Sequence, residues 1–455
     1  MQRHYTTRLL AAGLFMSWFI LPQAQAADLL QIYHQAQQSD PTLEAARFTM
    51  EATQQKIPQA RAGLLPTVNL NGNTNRTSAD TTYAYLPASK FLPPTSVNRD
   101  INAWTWNLQL TQPLIRLQNL FAYGESKHLV EQAEAQYAYA EQDLILRTAQ
   151  AYFDILTAQE SIATAESQLR AMEEQQALAK HSFDAGAASI TDVHEAKSKA
   201  DIARAQRLAA LNELENKRAE LEKLIGAVPE HLAALKSGIP TPKPQPEQQE
   251  PWVEQARTLN PAVRAQQAAL SAAESDINRN RAEHLPTLDL TASTGSNYSS
   301  GSLSTPQNYS TDARSSQIGL QLTIPLYAGG ATNAKVTEAI ANKDKTRAQL
   351  EEASRKAAAD AKQAYVAIIN GLAQIDALES AVESGNSSVK GNKIGYQLGI
   401  RINSDVLAAE QQLYTSQRDL VKARHDTLLQ GLKLKAAAGV LTEADLEGIN
   451  GLLAE

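Results

Sequence analysis

The sequence predicts a mixed fold, in which strands of a transmembrane β-barrel are combined with long coiled-coil α-helices. Three observations predict it. The chain contains an internal repeat, each repeat has a helical stretch of about 70 residues without proline, and each repeat has a pair of segments in which apolar and polar residues alternate. Helical and strand periodicities therefore occur in separate parts of each repeat.

The internal repeat is seen in the motif aromatic-x-x-Gly-x-x-x-x-x-Asp-Val. It begins at Phe183 in the first half and at Tyr396 in the second, an offset of 213 residues. Both halves exceed 200 residues, far longer than the units of solenoid repeats, so they are interpreted as a fused pair of equivalent halves. The first half is assigned to residues 27–238 and the second to residues 252–455, with a Pro-rich linker at residues 239–251.

The N-terminal segment, residues 1–26, is predicted to be a signal peptide. Two arginines precede an apolar run from Leu9 to Leu21, and Ala24-Gln25-Ala26 supplies the small residues of a cleavage site. A membrane anchor is the alternative, but the run is shorter than the ~20 residues of a spanning helix. We expect cleavage after Ala26, export, and no transmembrane helix in the mature chain.

Composition excludes several classes of protein. The 455 residues contain no cysteine, so disulfides, thiolate metal sites and a Cys nucleophile are excluded. The formal net charge of −7 disfavours a nucleic-acid partner.

In the first half, a helical stretch from Leu29 to Arg61 precedes a β-hairpin at 65–113 and a long helical hairpin at 114–226. The first arm of that hairpin would be a rod on the order of 100 Å long. Its seam from Leu144 to Met172 alternates steps of four and three residues and is rich in Ala, which favours close lateral packing of helices. Gly186 is predicted to form the turn between the arms, with Thr191 or Asp192 as the N-cap of the second arm.

The second half repeats this order. A helical stretch from Trp252 to Arg281 precedes a β-hairpin at 285–326, a long helical hairpin at 332–438 and a short C-terminal helix. Gly399 is the predicted turn, and Ser404 or Asp405 the predicted N-cap.

Apolar residues occupy every second position of the strand segments, while Asn, Gln, Thr and Gly occupy the others. In a soluble protein such strands would pack on the helices as a small sheet; in an outer-membrane barrel the apolar face contacts lipid and aromatic residues lie at the interface. The signal peptide, the absence of cysteine and the two tryptophans favour the barrel. The predicted lipid-facing residues are Trp104, Trp106, Leu108, Leu110, Leu288, Leu290, Ile318, Leu320 and Leu322.

Four strands cannot close a barrel, and an open sheet edge in lipid leaves backbone groups without partners. The chain is therefore expected to oligomerise. Two copies would give eight strands with a filled interior, and three would give twelve with a water-filled bore.

Five sequence blocks, and the order in which they occur along the chain, resemble the TolC family of outer-membrane channel-tunnels. The resemblance spans essentially the whole mature chain. The blocks are Leu108-Gln-Leu-Thr-Gln-Pro113, Thr148-Ala-Gln-Ala-Tyr-Phe153, Ile190-Thr-Asp-Val193, the block from His284 to Gly295, and Gly395-Tyr-x-x-Gly-x-Arg-x-x-x-Asp-Val-Leu407.

This resemblance implies a homotrimer in the outer membrane of a Gram-negative bacterium. Twelve strands would form the barrel, and the helices would form a second, α-helical barrel crossing the periplasm. It also implies a periplasmic adaptor and an inner-membrane pump of the ABC, RND or MFS type as partners, in drug efflux or type I protein secretion.

The same resemblance assigns Asp192, Tyr396, Arg401 and Asp405 to the periplasmic aperture, where hydrogen bonds and ion pairs hold the inner helices shut. Without it, both aspartates would be interpreted as helix caps. The sequence departs from the family pattern at Ala408, where well-known members have a second Asp. A single ring of Asp405 side chains, and hence weaker cation selectivity, is the resulting hypothesis.

Signatures of catalysis are lacking in the sequence. His194-Glu195 lacks the second His of a zinc-protease helix because position 198 is Ser, and no Gly-x-Ser-x-Gly motif occurs. No enzyme activity, cofactor or metal site is predicted. The alternative to a duct is a coiled-coil scaffold of the envelope without a pore.

Overall fold

The computed structural model describes residues 26–84, 94–227, 229, 231–236 and 242–454. The predicted signal peptide, apart from Ala26, and residues 239–241 of the predicted linker lie outside the described residues. In the first half the elements are α1 (Leu29–Ser39), α2 (Pro41–Gln54), α3 (Lys56–Ala62), β1 (Thr67–Tyr83), β2 (Thr95–Ile115), α4 (Leu117–Asp184) and α5 (Ile190–Ile225). In the second half they are α6 (Gln249–Leu259), α7 (Pro261–Ala282), β3 (Thr287–Ser299), β4 (Thr311–Thr323), α8 (Ala331–Gln397), α9 (Asn403–Ala437) and α10 (Glu443–Asn450).

The stretches that precede the strands are broken helices rather than continuous ones. Asp40 ends α1 and caps α2, and Asn260 does the same between α6 and α7. In both cases proline follows at the first helical position, where its missing N–H costs nothing and its ring blocks continuation of the preceding helix. The structure also differs from expectation at α6, which begins at Gln249, inside the predicted linker.

The four strands form one antiparallel sheet in the order β1-β2-β3-β4. The two hairpins come from different halves of the chain and meet at the β2–β3 pair, where Leu110 lies opposite Ala292. β1 and β4 are the outer strands, and neither has a second neighbour within the described chain. The sheet therefore has two open edges.

α4 and α8 are the long arms, with 68 and 67 residues, so each is about 100 Å long. Large side chains pack where α1, α4, α9 and α10 meet, around Leu144, Tyr152, Phe153 and Leu446. Towards the hairpin ends the core changes to small side chains, because Ala179, Ala196, Ala200 and Ala203 pack there with Met172 and Leu407. None of the helices in the described ranges combines the length and the apolar composition that crossing a membrane requires.

Candidate functional site at the ends of the helical hairpins

The second tip, residues 398–402, joins α8 to α9 through a tight turn. Gly399 has φ +71°, a conformation that residues with a Cβ rarely adopt, and this explains the glycine of the repeated motif. The Ile400 N–H donates to the Gly395 carbonyl at 2.9 Å, and the Arg401 N–H donates to the same oxygen at 3.1 Å. These bonds satisfy a carbonyl at the end of α8 and hold Arg401 over its last turn.

Gly395 determines where the Arg401 side chain runs. A Cβ at position 395 would lie 2.7 Å from Arg401 Cγ, so only glycine lets the arginine stem cross the helix this closely. Arg401 Nη1 then lies 3.5 Å from Asp405 Oδ2 in the first turn of α9. We call Arg401 and Asp405 the tip pair; both of its side chains remain accessible to water.

The first tip, residues 185–189, has the same backbone but different polar contacts. Gly186 has φ +74°, and the Ala187 N–H donates to Ser182. Ser189 is the N-cap of α5, and the Asp192 carboxylate accepts the Ser189 backbone N–H at 3.1 Å. This reciprocal arrangement is a capping box, so Asp192 is already bonded within its own helix.

The predicted N-caps are wrong in both halves. Helix α5 begins at Ile190 and is capped by Ser189, not by Thr191 or Asp192. Helix α9 begins at Asn403, and the residue in the N-cap position is Ile402, which has no side-chain oxygen. Neither Ser404 nor Asp405 caps α9, because both lie within its first turn. The Asp405 carboxylate is therefore not committed to a capping box.

Tyr396 lies in the last turn of α8, two residues before the second tip, and is partly buried. Among the described residues its hydroxyl makes no hydrogen bond to Asp192, Arg401 or Asp405. Within one chain the structure thus brings together two of the four predicted aperture residues and leaves Asp192 and Tyr396 apart from them.

Two polar residues near the second tip were missed by the sequence analysis. Glu410 is 2% exposed, and its Oε1 accepts from Lys393 Nζ at 2.6 Å, which joins α9 to α8 two turns above the tip pair. Charged residues at these positions look like a solvated helix face in the sequence, and only the packing of α8 on α9 reveals that one of them is buried. The described residues contain no group of His, Cys, Asp or Glu side chains placed to hold a metal ion.

The sheet has one apolar and one polar face. Even-numbered residues of β2 and β4 form the apolar face, where Trp104 stacks on Tyr298 with ring centroids 5.8 Å apart and Ile318 is 76% exposed. The apolar residues of neighbouring strands do not all lie opposite one another. Between β2 and β3, Trp106 and Leu108 pair with the polar residues Ser296 and Thr294. Between β3 and β4, apolar residues do pair, but nearer the helices: Leu288 with Leu322, and Leu290 with Leu320. The apolar stripe therefore crosses the sheet diagonally, as strands tilted in a barrel require.

Hairpins with one exposed apolar face, joined to helices about 100 Å long, define an outer-membrane channel protein with a helical extension. The sequence model of the family described as outer membrane efflux protein matches residues 32–227 and 252–440, and the chain belongs to this family, of which TolC is a member. Both the predicted family and the predicted fold class, a transmembrane β-barrel with a long helical barrel, are confirmed.

Relatives match over almost their whole length. The chain is 31% identical to the alkaline protease secretion protein AprF of Pseudomonas aeruginosa, over 97% of this chain and 91% of the relative. It is 32% identical to the outer membrane protein TolC of Escherichia coli, over 97% of this chain and 88% of the relative. The proteases secretion protein PrtF of Dickeya chrysanthemi is 30% identical, over 93% and 90% of the two chains.

Solved structures show the same fold. A CusC channel structure superposes with a TM-score of 0.76 at 17% identity, covering 90% of this chain and 92% of that chain. The outer membrane protein VceC of Vibrio cholerae superposes with a TM-score of 0.73 at 21% identity, covering 90% and 96%. The chain is an outer-membrane exit duct of the efflux and type I secretion class, extending into the periplasm. Channels of this family form trimers and act with adaptor and inner-membrane pump partners.

Proposed function

We propose that three copies of this chain form a duct that is closed at its periplasmic end by the second tips. The observation that carries the duct is the four-stranded sheet, with one apolar face, one polar face and two open edges. Joining three sheets edge to edge gives twelve strands and pairs every edge. The apolar face then contacts lipid, and the polar face lines a water-filled bore.

We assign the aperture chiefly to the tip pair. Arg401 is held over Gly395 by two backbone hydrogen bonds, and Asp405 is free of capping, so both groups can bond across to a neighbouring copy. Asp192 contributes less, since its carboxylate already accepts the Ser189 N–H. Tyr396 offers its hydroxyl to an adjacent copy. Asp405 is the acidic residue that would line the constriction and favour cations.

Such an aperture is weakly held, which suits a gate. An exposed ion pair contributes about 0–1 kcal/mol, so three contacts between copies, each made by tip-pair residues and contributing about 0.5 kcal/mol, give about 1.5 kcal/mol. That is about a tenfold change in the ratio of open to closed apertures. Binding of an adaptor protein could supply this free energy.

The duct would work with a periplasmic adaptor and with an inner-membrane pump of the ABC, RND or MFS type. Two of the relatives carry names of protease secretion proteins, which supports type I protein secretion; drug efflux uses the same passive route. Transport through it requires no catalytic group in this chain.

The test is planar-bilayer conductance of the purified trimer and of its Arg401→Ser and Asp405→Ala variants. We expect the parent to show a small, cation-preferring conductance, Arg401→Ser to raise the mean conductance about tenfold, and Asp405→Ala to weaken the cation preference. Arg355→Ser is the matched control, because it removes another exposed pair of i,i+4 spacing from α8, with Glu351, far from the tip.

Equal conductance in Arg401→Ser and Arg355→Ser would show that the tip pair does not hold the aperture closed. Absence of conductance in all variants, with the trimer intact, would instead favour the envelope scaffold without a pore.

A further inference from the structure

The segment between β3 and β4, residues 300–310, folds back onto the sheet. β3 ends at Ser299, opposite Ala103, whereas β1 and β2 stay paired as far as Tyr83 and Thr95. The segment continues along the edge that β3 leaves uncovered: the Ser300 N–H donates to the Asn102 carbonyl at 2.9 Å, and the Asn102 N–H donates to Ser300 Oγ at 2.9 Å. The longer first hairpin thus provides a surface on which the segment rests.

Arg99 is the main contact between this segment and the sheet. Arg99 is 7% exposed, and its guanidinium donates to three backbone carbonyls, those of Ser302, Thr305 and Pro306. The bond to Thr305 is 2.8 Å long. Hydrogen bonds from a charged donor are stronger than neutral ones, and a buried guanidinium without acceptors would be costly, so Arg99 strongly favours the folded segment. Tyr83 adds a bond from its hydroxyl to the Leu303 carbonyl at 2.7 Å.

The side chains of Tyr83 and Arg99 contact the segment from one face of the sheet. Tyr83, Arg99 and the buried Ile101 are odd-numbered, and they project to the face opposite Trp104 and Trp106. If the apolar face contacts lipid, residues 300–310 lie inside the barrel wall. The even-numbered Arg76 and Asp100, at the same height, form an exposed ion pair on the other face at 2.8 Å.

We propose that residues 300–310, the inner lid, narrow the extracellular exit of the duct, and that Arg99 sets the size of what passes by holding the lid down. The proposal rests on the trimeric duct proposed above, in which three inner lids surround the bore. The inner lid contains no charged residue, so it restricts passage by size rather than by attracting ions. A leaving solute must displace the lid from Arg99, which makes this constriction a second resistance in series with the second tips.

The conductance test uses the Arg401→Ser background, in which the tips no longer limit flow. There Arg99→Ala is expected to raise conductance about twofold or more and to admit larger neutral polyethylene glycols from the extracellular side. Tyr83→Phe, which removes one hydroxyl, should give a smaller rise in conductance. This milder variant still tests the proposal if Arg99→Ala does not fold. Arg76→Ala, which removes an arginine from the opposite face, is the control and should change neither quantity.

Because the chain has no cysteine, single spin labels give a readout independent of conductance. Labels at Gln307→Cys, on the inner lid, should lie closer together across the trimer than labels at Asp80→Cys, on the opposite face near the same end. Adding Arg99→Ala should lengthen and broaden only the Gln307 distances.

Two results would overturn the inner lid but not the duct. One is that Arg99→Ala and Tyr83→Phe leave the conductance of the Arg401→Ser protein unchanged. The other is that the Gln307 labels lie no closer together than the Asp80 labels. A trimer that conducts in none of these variants would overturn the duct, and the inner lid with it.

Discussion

The two halves of the chain have the same helical hairpin but use different side chains at its end. Position 189 is Ser and position 402, its equivalent 213 residues on, is Ile. The serine closes a capping box that occupies Asp192, whereas the isoleucine leaves Asp405 to Arg401. One exchange at an N-cap thus separates an aspartate with a local structural role from one available for contacts between copies.

Two further positions around the turn also differ between the halves. Gly395 and Arg401 correspond to Ser182 and Ala188 in the first half. The first tip has neither the arginine nor the glycine that lets an arginine cross the helix. The two halves therefore share one backbone turn, and differences at a few matched positions give only the second half the exposed tip pair.

A second difference between the halves lies farther from the tips, where α9 packs on α4. His425 is 5% exposed, its ring stacks on Phe153, and its Nδ1 lies 2.7 Å from Thr157 Oγ1. The Thr157 hydroxyl donates to the Phe153 carbonyl, so it accepts from Nδ1–H of a neutral imidazole. The equivalent residue in the first half is Asn212, which does not titrate.

The largest expected effect concerns this histidine. Burial lowers the pKa of His425 from 6.5 to about 4, while Asp426 and Asp154 oppose the shift and Arg424 adds to it. Because its pKa is lowered in the folded state, His425 contributes to the free energy of unfolding above pH 6.5. This contribution, roughly 3 kcal/mol per protomer, is lost as the pH falls from 6.5 towards about 4. His425→Asn, which copies the first half, should remove this part of the pH dependence of thermal unfolding. Parallel curves for parent and variant between pH 7 and pH 4 would contradict it.

The next effect is on the cap of the first tip. Ser189→Ala removes the side-chain half of the capping box and should cost about 1 kcal/mol, seen as faster hydrogen exchange in the first turn of α5. The conductance should stay at the parent value, because the gate is assigned to the second tip. A conductance rise equal to that of Arg401→Ser would show that both tips hold the aperture.

Giving the second tip the cap of the first should have a smaller effect. Ile402→Ser places a serine three residues before Asp405, so that Asp405 can accept the backbone N–H of residue 402 as Asp192 accepts that of Ser189. The tip pair should weaken, and conductance should rise by a factor of about two, less than in Arg401→Ser. Ile402→Ala, which removes the apolar side chain without offering a cap, is the control. Equal conductance in both variants would mean that capping does not compete with the tip pair.

The smallest effect is expected at Ala408, whose equivalent in the first half is Glu195. Ala408→Asp adds a second carboxylate one turn beyond Asp405, so the ratio of cation to anion permeability and the block by divalent cations should both increase, by less than about twofold. Ala408→Asn has nearly the same size without the charge and should leave both unchanged. Unaltered cation block in Ala408→Asp would refute the hypothesis of a single carboxylate ring.

Local sequence patterns were sufficient to predict the elements and their order. Long heptad seams, strands with alternating polarity and the repeated glycine turns depend on local periodicity, and the structure has helices, strands and turns at those places. Local patterns were less reliable at the ends of elements. The caps of α5 and α9 were misplaced because Ser, Thr and Asp are clustered there, and any of them is a chemically reasonable cap.

Which of these residues contact one another depends on how the chain is folded. The passage of Arg401 across Gly395, the burial of Glu410, the diagonal apolar stripe and the hold of Arg99 on residues 300–310 all depend on register or packing between segments. Arg99 and Pro306 are 207 residues apart, and no local period relates them. Hydrogen bonds and burial require distances of a few ångströms, which a one-dimensional pattern does not specify until the chain is folded.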